Sequence, residues 1–510
     1  MGSGAARHVL AFDLGTGGCK AALWRADGVC TAETFAGYPT AHPGGGLAEQ
    51  RPEDWWNAIV ASARELLGGA AVDVADVAAV ALSGQSLGVV PVDEAGTLLL
   101  ESCPIWSDTR GGAQAARVFT RVREEDWYRR TGNGFPPGLY TAFKIMWLGE
   151  HRPDVLRRTH VVLGSKDWVN LRLTGAIATD HSYASGSGVY DLVAGDYDDE
   201  LLAATGIPRA LLPPIVPATE VVGGLTAEAA AALGLRSGTP VLAGGVDNSC
   251  MAIGARNLAE GELYGSLGSS SWLTVTSAKP VLDPVVRPFV FASVAPGLFH
   301  SACSTFGSGT SFGWLAETVF AEGERSPERL LELAATSVPG ARGLLFLPTL
   351  TGGTVLEGGP DVRGAFLGLD VAHTRADLVR AAIEGIAFAL GRALGALREL
   401  TTLGDEVLVV GGGSKSALWR QVYADVFGMR VVKTSIDQQA ASLGAAAVAA
   451  VGVGLWDGFE RVRELHEVRA RHEPDPVATE TLKPLAQLFA AASEAQAAYA
   501  PALARVRAAA

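Results

Sequence analysis

Cysteine is sparse: five in 510 residues, Cys19, Cys30, Cys103, Cys250 and Cys303, scattered and odd in number. None forms a CxxC pair, which argues against a zinc site and for reduced thiols in a cytoplasmic protein. Positive charge is also short. Forty-one Lys and Arg against 54 Asp and Glu give a net charge of −13, with no basic cluster, so nucleic acid is not an expected partner. The N-terminal MGSGAARHVLAFDLG lacks an apolar region with a cleavage site, and no secretory signal is read there. Long apolar runs are scarce. The stretch from Ala440 to Trp456 is uncharged for 17 residues but holds three glycines, and reads as a buried helix rather than a membrane span. Two phosphate-binding fingerprints are missing: there is no GxxxxGK[ST], and no GxGxxG with an acidic residue some 20 positions on.

What is present is a core-rich chain, 48% hydrophobic and 19% charged, with 62 glycines. Its length suits two large domains. His8–Asp13, Lys20–Arg25 and Val29–Tyr38 read as strands joined by Gly-rich and Asp27-Gly28 turns, an antiparallel opening unlike a Rossmann or P-loop start. Pro52 opens a helix with Trp56, Ile59, Val60, Ala63 and Leu67 on one face, and Val77–Leu82 is a buried strand. Pro240–Asn248 reads as a strand ending in Gly244-Gly245-Val246-Asp247-Asn248. A Gly/Ser turn follows at Tyr264–Ser271, so the pattern of strand, glycine turn and strand restarts, with a boundary near residues 240–246. The expected division is 1–243, 244–455 and a helical tail, 456–510. Asp377–Leu400 is a long amphipathic helix, and Glu406–Val410 is a strand feeding Gly411-Gly412-Gly413 and a helix from Ser416 to Phe427.

Three turns carry the chemistry. In Asp13-Leu14-Gly15-Thr16-Gly17-Gly18-Cys19-Lys20, successive backbone N–H groups can cradle phosphate oxygens. Thr16 adds a hydroxyl, Lys20 a positive charge, and Asp13 a carboxylate able to hold Mg²⁺ through waters. A plain hairpin is the alternative. Gly265-Ser266-Leu267-Gly268-Ser269 repeats the design in the second half, where the two turns would hold the ends of a triphosphate across a cleft. Gly411, Gly412 and Gly413 lie between a strand and a helix, where bare backbone can receive the flat ring of adenosine. Asp247 is placed to accept a hydroxyl proton as the oxygen attacks phosphorus, with an ordinary pKa of about 4 keeping it ionised. Its alternative role is an N-cap for the helix that follows.

These segments together resemble the FGGY-type carbohydrate kinases, a family of the two-domain actin-like (ribonuclease H-like) α/β fold with an interdomain cleft. The likeness covers about residues 8–455. One family signature is nearly met by Thr141-Ala142-Phe143-Lys144 through His151, departing only at Leu139. The other is met in full from Gly364-Ala365-Phe366-Leu367-Gly368-Leu369 to Ala381-Ala382-Ile383-Glu384. The resemblance implies ATP and Mg²⁺ as cofactors. It makes Asp13, Gly15, Thr16 and Lys20 the first phosphate motif, and Gly265, Ser266, Gly268 and Ser269 the second. Gly411–Gly413 become the adenosine motif and Asp247 the catalytic base. Gln85, Ser86, Asn248 and the Trp106–Arg110 stretch, with Trp106 and Asp108, fall on the substrate side.

Within the family, Thr179-Asp180-His181-Ser182 with Gly186 is similar to a TDxS–G segment of the xylulokinases. The expected activity is transfer of the γ-phosphoryl group of ATP to a hydroxyl of a linear ketose or polyol, D-xylulose first. Ribulose, L-xylulose, erythritol or a catalytically silent nucleotide or sugar sensor stay open. Xylulokinases carry Met-His where Ser86-Leu87 stands, and many relatives carry a glutamate near Asp437-Gln438-Gln439. The Ala-rich tail does not choose between packing on either domain and pairing in a homodimer.

Overall fold

The computed structural model describes residues 7–69 and 72–509. They group into two compact α/β units. One runs to Ala259 and takes in Thr276–Ser301 and Gln439–His466; the other comprises Glu260–Val275, Ala302–Gln438 and the chain from Glu467 on.

The first unit is built on a mixed sheet ordered Val221–Gly224, Pro240–Leu242, Val77–Gly84, His8–Leu14, Gly18–Arg25, Cys30–Gly37. The three N-terminal strands form the expected antiparallel meander, and Val77–Gly84 runs parallel to the first of them. His8–Leu14 is buried along its whole length except at Asp13, so both its faces are covered. The helix Pro52–Gly69 packs on this sheet through Trp55, Trp56, Ile59, Ala63 and Leu66. Its buried stripe is offset from the expected one: Val60 and Leu67 lie at the edge. Ala440–Gly452, the uncharged segment, is a buried helix of this unit; it packs against the helix Asp247–Gly254 and the strands His8–Leu14 and Val77–Gly84. No helix among the described residues is long and apolar enough to cross a membrane.

The second unit repeats the strand logic. Ser271–Ser277 pairs antiparallel with Leu263–Leu267, which runs parallel to Glu406–Val410 and through it to Arg430–Thr434; Val468–His472 closes the order antiparallel. Strand ends with glycine turns therefore recur, as the restarted sequence pattern predicts. The strand Val468–His472 was not expected from the tail's composition. The tail itself is the helix Pro476–Ala509, and its Leu482 and Phe489 bury against Leu345, Leu347 and Phe388 of the second unit. The long helix Arg375–Leu400 starts at a reciprocal cap, where Thr374 N–H donates to Asp377 at 2.8 Å. Glu384 accepts from Arg380 at 2.5 Å and from Gly340 N–H at 2.9 Å. Asp377 and Glu384 of the second signature thus hold the fold together.

Candidate active site

Parallel pairing lines up three strand ends in the first unit. Asp13 stands beside Ser83, and Gly245 stands beside Ser83 on its other flank. The carboxyl ends of parallel strands are where open α/β sheets place ligands. Ser83 Oγ donates to Asp13 Oδ1 at 2.9 Å.

Asp247 arrives at the same edge by a sharper route than the sequence suggests. The expected continuous strand is interrupted: Pro240–Leu242 ends, Gly244 takes φ 76, and Asp247 opens the helix Asp247–Gly254, with Val246 as the capping position. A side chain at Gly244 would stand 2.2 Å from the carbonyl of Leu82, so only glycine lets the chain turn there. Asp247 Oδ1 accepts from Asn248 N–H at 2.8 Å and from Asn248 Nδ2 at 3.0 Å, so Asn248 orients the carboxylate. Burial, with the negative charge of Asp13 nearby, pushes Asp247 up to about 7. The ordinary carboxylate value expected from sequence is overturned by that setting.

The first glycine turn is gripped from three sides. Tyr38 OH donates to Gly15 O at 2.6 Å, Gln50 Nε2 to Thr16 O at 2.7 Å, and Trp106 Nε1 to Thr16 Oγ1 at 2.8 Å. Lys20 sits opposite Asp13 in the hairpin register. Gln85 Nε2 donates to Gln50 Oε1 at 2.7 Å, and Trp55 Nε1 donates to the same oxygen at 2.9 Å. Gln50 therefore ties the turn of Thr16 to Gln85. Nothing in its local sequence marks it.

Ser86 is buried, and Leu87 is 1% exposed with φ 60, packed where a side chain at Gly186 would meet it at 2.8 Å. Leu87 thus belongs to the core. Its carbonyl accepts from Lys144 Nζ at 3.1 Å, and the same amine donates to Ile105 O at 2.6 Å. Asp108 is fully buried. Its oxygens accept from Ala48 N–H at 2.8 Å and from Arg110 Nε and Nη2 at 2.7 Å each, which braces the segment carrying Trp106.

The second unit holds a cavity of about 630 Å³ whose lining includes Gly268, Ser269, Gly412, Gly413, Phe312 and Trp419. Gly265 and Ser266 lie within the strand and do not line it. Gly411 does not line it either; it turns the chain at φ 91, where a side chain would stand 2.7 Å from Leu267 O. The turn at Gly268-Ser269 is joined to the start of the helix Gly309–Val319 by Gly309 N–H to Gly268 O, 3.0 Å, and Thr310 N–H to Ser269 O, 3.0 Å. Phe312 and Trp419 meet edge to face at 5.5 Å, giving the cavity an aromatic wall that the sequence reading missed. The run Gly307-Ser308-Gly309 ahead of a helix was the available signal.

Among the described residues no cluster of three or more His, Cys, Asp or Glu could hold a metal ion. Asp13, with Ser83 against it and Asp247 nearby, still suits Mg²⁺, which takes one or two carboxylates and keeps most of its waters.

Two family models match, the FGGY family of carbohydrate kinases N-terminal domain over residues 8–254 and its C-terminal domain over 263–453. The chain is 33% identical to xylulose kinase of Bacillus subtilis (strain 168), over 90% of this chain and 91% of that protein. Its structure is similar to gluconate kinase from Lactobacillus acidophilus (TM-score 0.92, 26% identity, 98% of this chain and 100% of that one). It is equally similar to the ligand-bound xylulose kinase of the same organism (TM-score 0.91, 26% identity, with the same coverage). With both halves of the family matched along nearly its whole length, the chain belongs to the FGGY family of carbohydrate kinases and is a sugar kinase.

Proposed function

We propose that the protein transfers the γ-phosphoryl group of ATP to a hydroxyl of a linear ketose or polyol, with D-xylulose the first choice of acceptor. The observation that carries this reading is Asp247 held at the strand ends by Asn248, with Asp13 nearby. A carboxylate raised to about 7 takes up a proton readily near neutral pH, which is the demand on a general base. In the proposed step the acceptor oxygen attacks the γ-phosphorus, its proton passes to Asp247, and ADP departs with the electron pair of the broken P–O bond. Asn248 keeps the accepting oxygen aimed, and Trp106 and Gln50 hold the Thr16 turn still. Mg²⁺, held by Asp13 through water, would supply charge neutralisation on the phosphates.

The donor is proposed to lie in the aromatic-walled cavity, its adenosine against Gly412 and Gly413 and its phosphates toward Gly268-Ser269. D-xylulose is favoured over gluconate because none of the candidate acceptor residues Gln85, Ser86, Trp106, Asp108 and Asn248 carries a positive charge to meet a sugar acid's carboxylate. Leu87 does not weigh against a ketose, since it offers almost no surface.

The test is ADP production with MgATP across D-xylulose, L-xylulose, D-ribulose, L-ribulose, erythritol, xylitol, glycerol and gluconate. Rapid turnover on D-xylulose is expected. Turnover on gluconate alone would replace the acceptor class, and a flat panel with ATP still bound would favour a silent sensor.

A further inference from the structure

The Thr179–Ser182 segment takes no part in the reaction described above, yet every polar side chain in it is occupied. Thr179 Oγ1 donates to Asp167 Oδ2 at 2.8 Å. Lys166 Nζ lies 2.5 Å from Asp167 Oδ1 and 2.9 Å from Asp180 Oδ1, and all three side chains are at most 1% exposed. Asp180 Oδ2 accepts from Ser182 N–H at 2.8 Å and from Ser182 Oγ. His181, between them, turns away to Tyr190 OH at 2.9 Å.

Lys166 and Ser182 of this cluster, with Asn170 on the same helix as Lys166, also reach the chain just before Asp247. Lys166 Nζ donates to Ala243 O at 3.1 Å, and Asn170 Nδ2 to Leu242 O and Ala243 O at 3.2 and 3.0 Å. Ser182 Oγ accepts from Val246 N–H at 2.9 Å, one residue before Asp247. A side chain at Gly245 would stand 2.3 Å from Val294 and 3.2 Å from Ser182 Oγ, so the loop is pressed directly onto this support.

We propose that Ser182 is a positioning residue for Asp247, passing the rigidity of the buried Asp167–Lys166–Asp180 cluster to the loop that presents the base. This rests on the reading of Asp247 as the base. A buried ion cluster is a poor source of net stability, because desolvation offsets its attraction, but it is stiff once formed. Ser182 is where that stiffness reaches the chain at Val246. Without its hydroxyl, Val246 N–H and one oxygen of Asp180 lose a partner and Asp247 is free to drift. A drift of about 1 Å is enough to slow transfer by roughly a hundredfold.

The experiment compares Ser182→Ala, Ser182→Thr and Thr179→Val with the wild type, using MgATP and D-xylulose. Each is assayed for D-xylulose phosphorylation, for ATP hydrolysis without sugar, and for hydrogen exchange of the peptide covering 242–248. For Ser182→Ala, kcat on D-xylulose should fall roughly 10- to 100-fold, while KM for ATP and sugar-independent hydrolysis stay within about twofold. Exchange over 242–248 should quicken. Ser182→Thr should recover most of the loss, and Thr179→Val should show a smaller shift in the same direction. Thr179→Val carries the test if Ser182→Ala does not fold.

Both activities falling in equal proportion would reduce Ser182 to a fold contact and overturn the proposal. So would wild-type exchange over 242–248, whatever the acceptor. An Asp247→Asn enzyme that keeps its turnover defeats the reading of the base. An inactive Asp247→Asn beside a fully active Ser182→Ala defeats this inference alone.

Discussion

The backbone N–H of Gly411 donates to Asp437 Oδ1 at 2.6 Å, while the other oxygen of Asp437 lies 2.8 Å from Lys433 Nζ. Asp437 follows the strand Arg430–Thr434, the sheet neighbour of Glu406–Val410, so one strand's exit loop pins the other's glycine run. This gives the Asp437 carboxylate a structural role beside the glycine run. Asp437→Ala leaves the Gly411 N–H without its partner and lets the run lift from Leu267. A lost charge-assisted bond of this kind costs about 1–3 kcal/mol. KM for ATP should therefore rise roughly tenfold or more, with KM for the sugar and kcat at saturating ATP little changed. Initial rates against ATP concentration decide it. An unchanged KM would separate the glycine run from the nucleotide.

Asp247→Asn should lower kcat by about 10²- to 10⁴-fold while ATP still binds, the usual range for loss of a general base. The same change should stabilise the metal-free protein. A carboxylate raised from 3.8 to about 7 in the fold contributes stability that is present below the unfolded value and lost as pH rises through 7. Asparagine cannot ionise and escapes that loss. In chelator, the melting temperature of Asp247→Asn should exceed wild type above pH 7, and the gap should close toward pH 4. A gap independent of pH would mean that Asp247 is not raised.

Much of this was legible because the signals are local. The Asp13–Lys20 hairpin, the Gly411–Ser416 turn and Asp247 each announce themselves within eight residues, and glycine between apolar strands has few other uses. What stayed hidden depends on contacts between distant segments. Gln50 meets Thr16 34 residues away, and Lys166 reaches Ala243 77 residues away; neither pairing leaves a periodicity to read. The break at Gly244 was missed because an apolar run looks the same whether or not it turns. Leu87 stands with Ser86 where xylulokinases carry Met-His, and no local pattern reveals that its left-handed backbone sends it into the core.

Lys144, in the first signature, is fully buried and donates to Leu87 O and Ile105 O. Burial lowers it to about 7, with Asp108 opposing the shift and Arg110 adding to it. A lysine lowered in the fold and normal when unfolded makes the unfolded chain bind more protons between pH 7 and 10.5, so native stability rises with pH across that window. Lys144→Met removes the titration. The difference in melting temperature, wild type minus variant, should be smallest near pH 7 and grow toward pH 10. A constant difference would show that Lys144 keeps its charge in the fold.

The helix that begins with Asp247 is seated by two glycines. A side chain at Gly254 would stand 1.7 Å from Ala440 O, and one at Gly444 would stand 1.9 Å from Cys250 O, so Asp247–Gly254 and Ala440–Gly452 meet backbone to backbone. In a helix interior, glycine to alanine normally stabilises by about 0.5–1 kcal/mol, since glycine loses more freedom on folding. Gly444→Ala should reverse that sign. Its methyl can be admitted only by moving the helices apart, an overpacking that costs about 1–3 kcal/mol. Gly395→Ala is the control: it lies in the helix Arg375–Leu400, a side chain there meets nothing within 4 Å, and it should stabilise. Urea unfolding of the two variants gives the signs. Activity adds a second check, because the displaced helix carries the proposed base at its first turn, so kcat should fall in Gly444→Ala and hold in Gly395→Ala. Two stabilised variants of equal activity would mean that the backbone contact at Gly444 yields without strain.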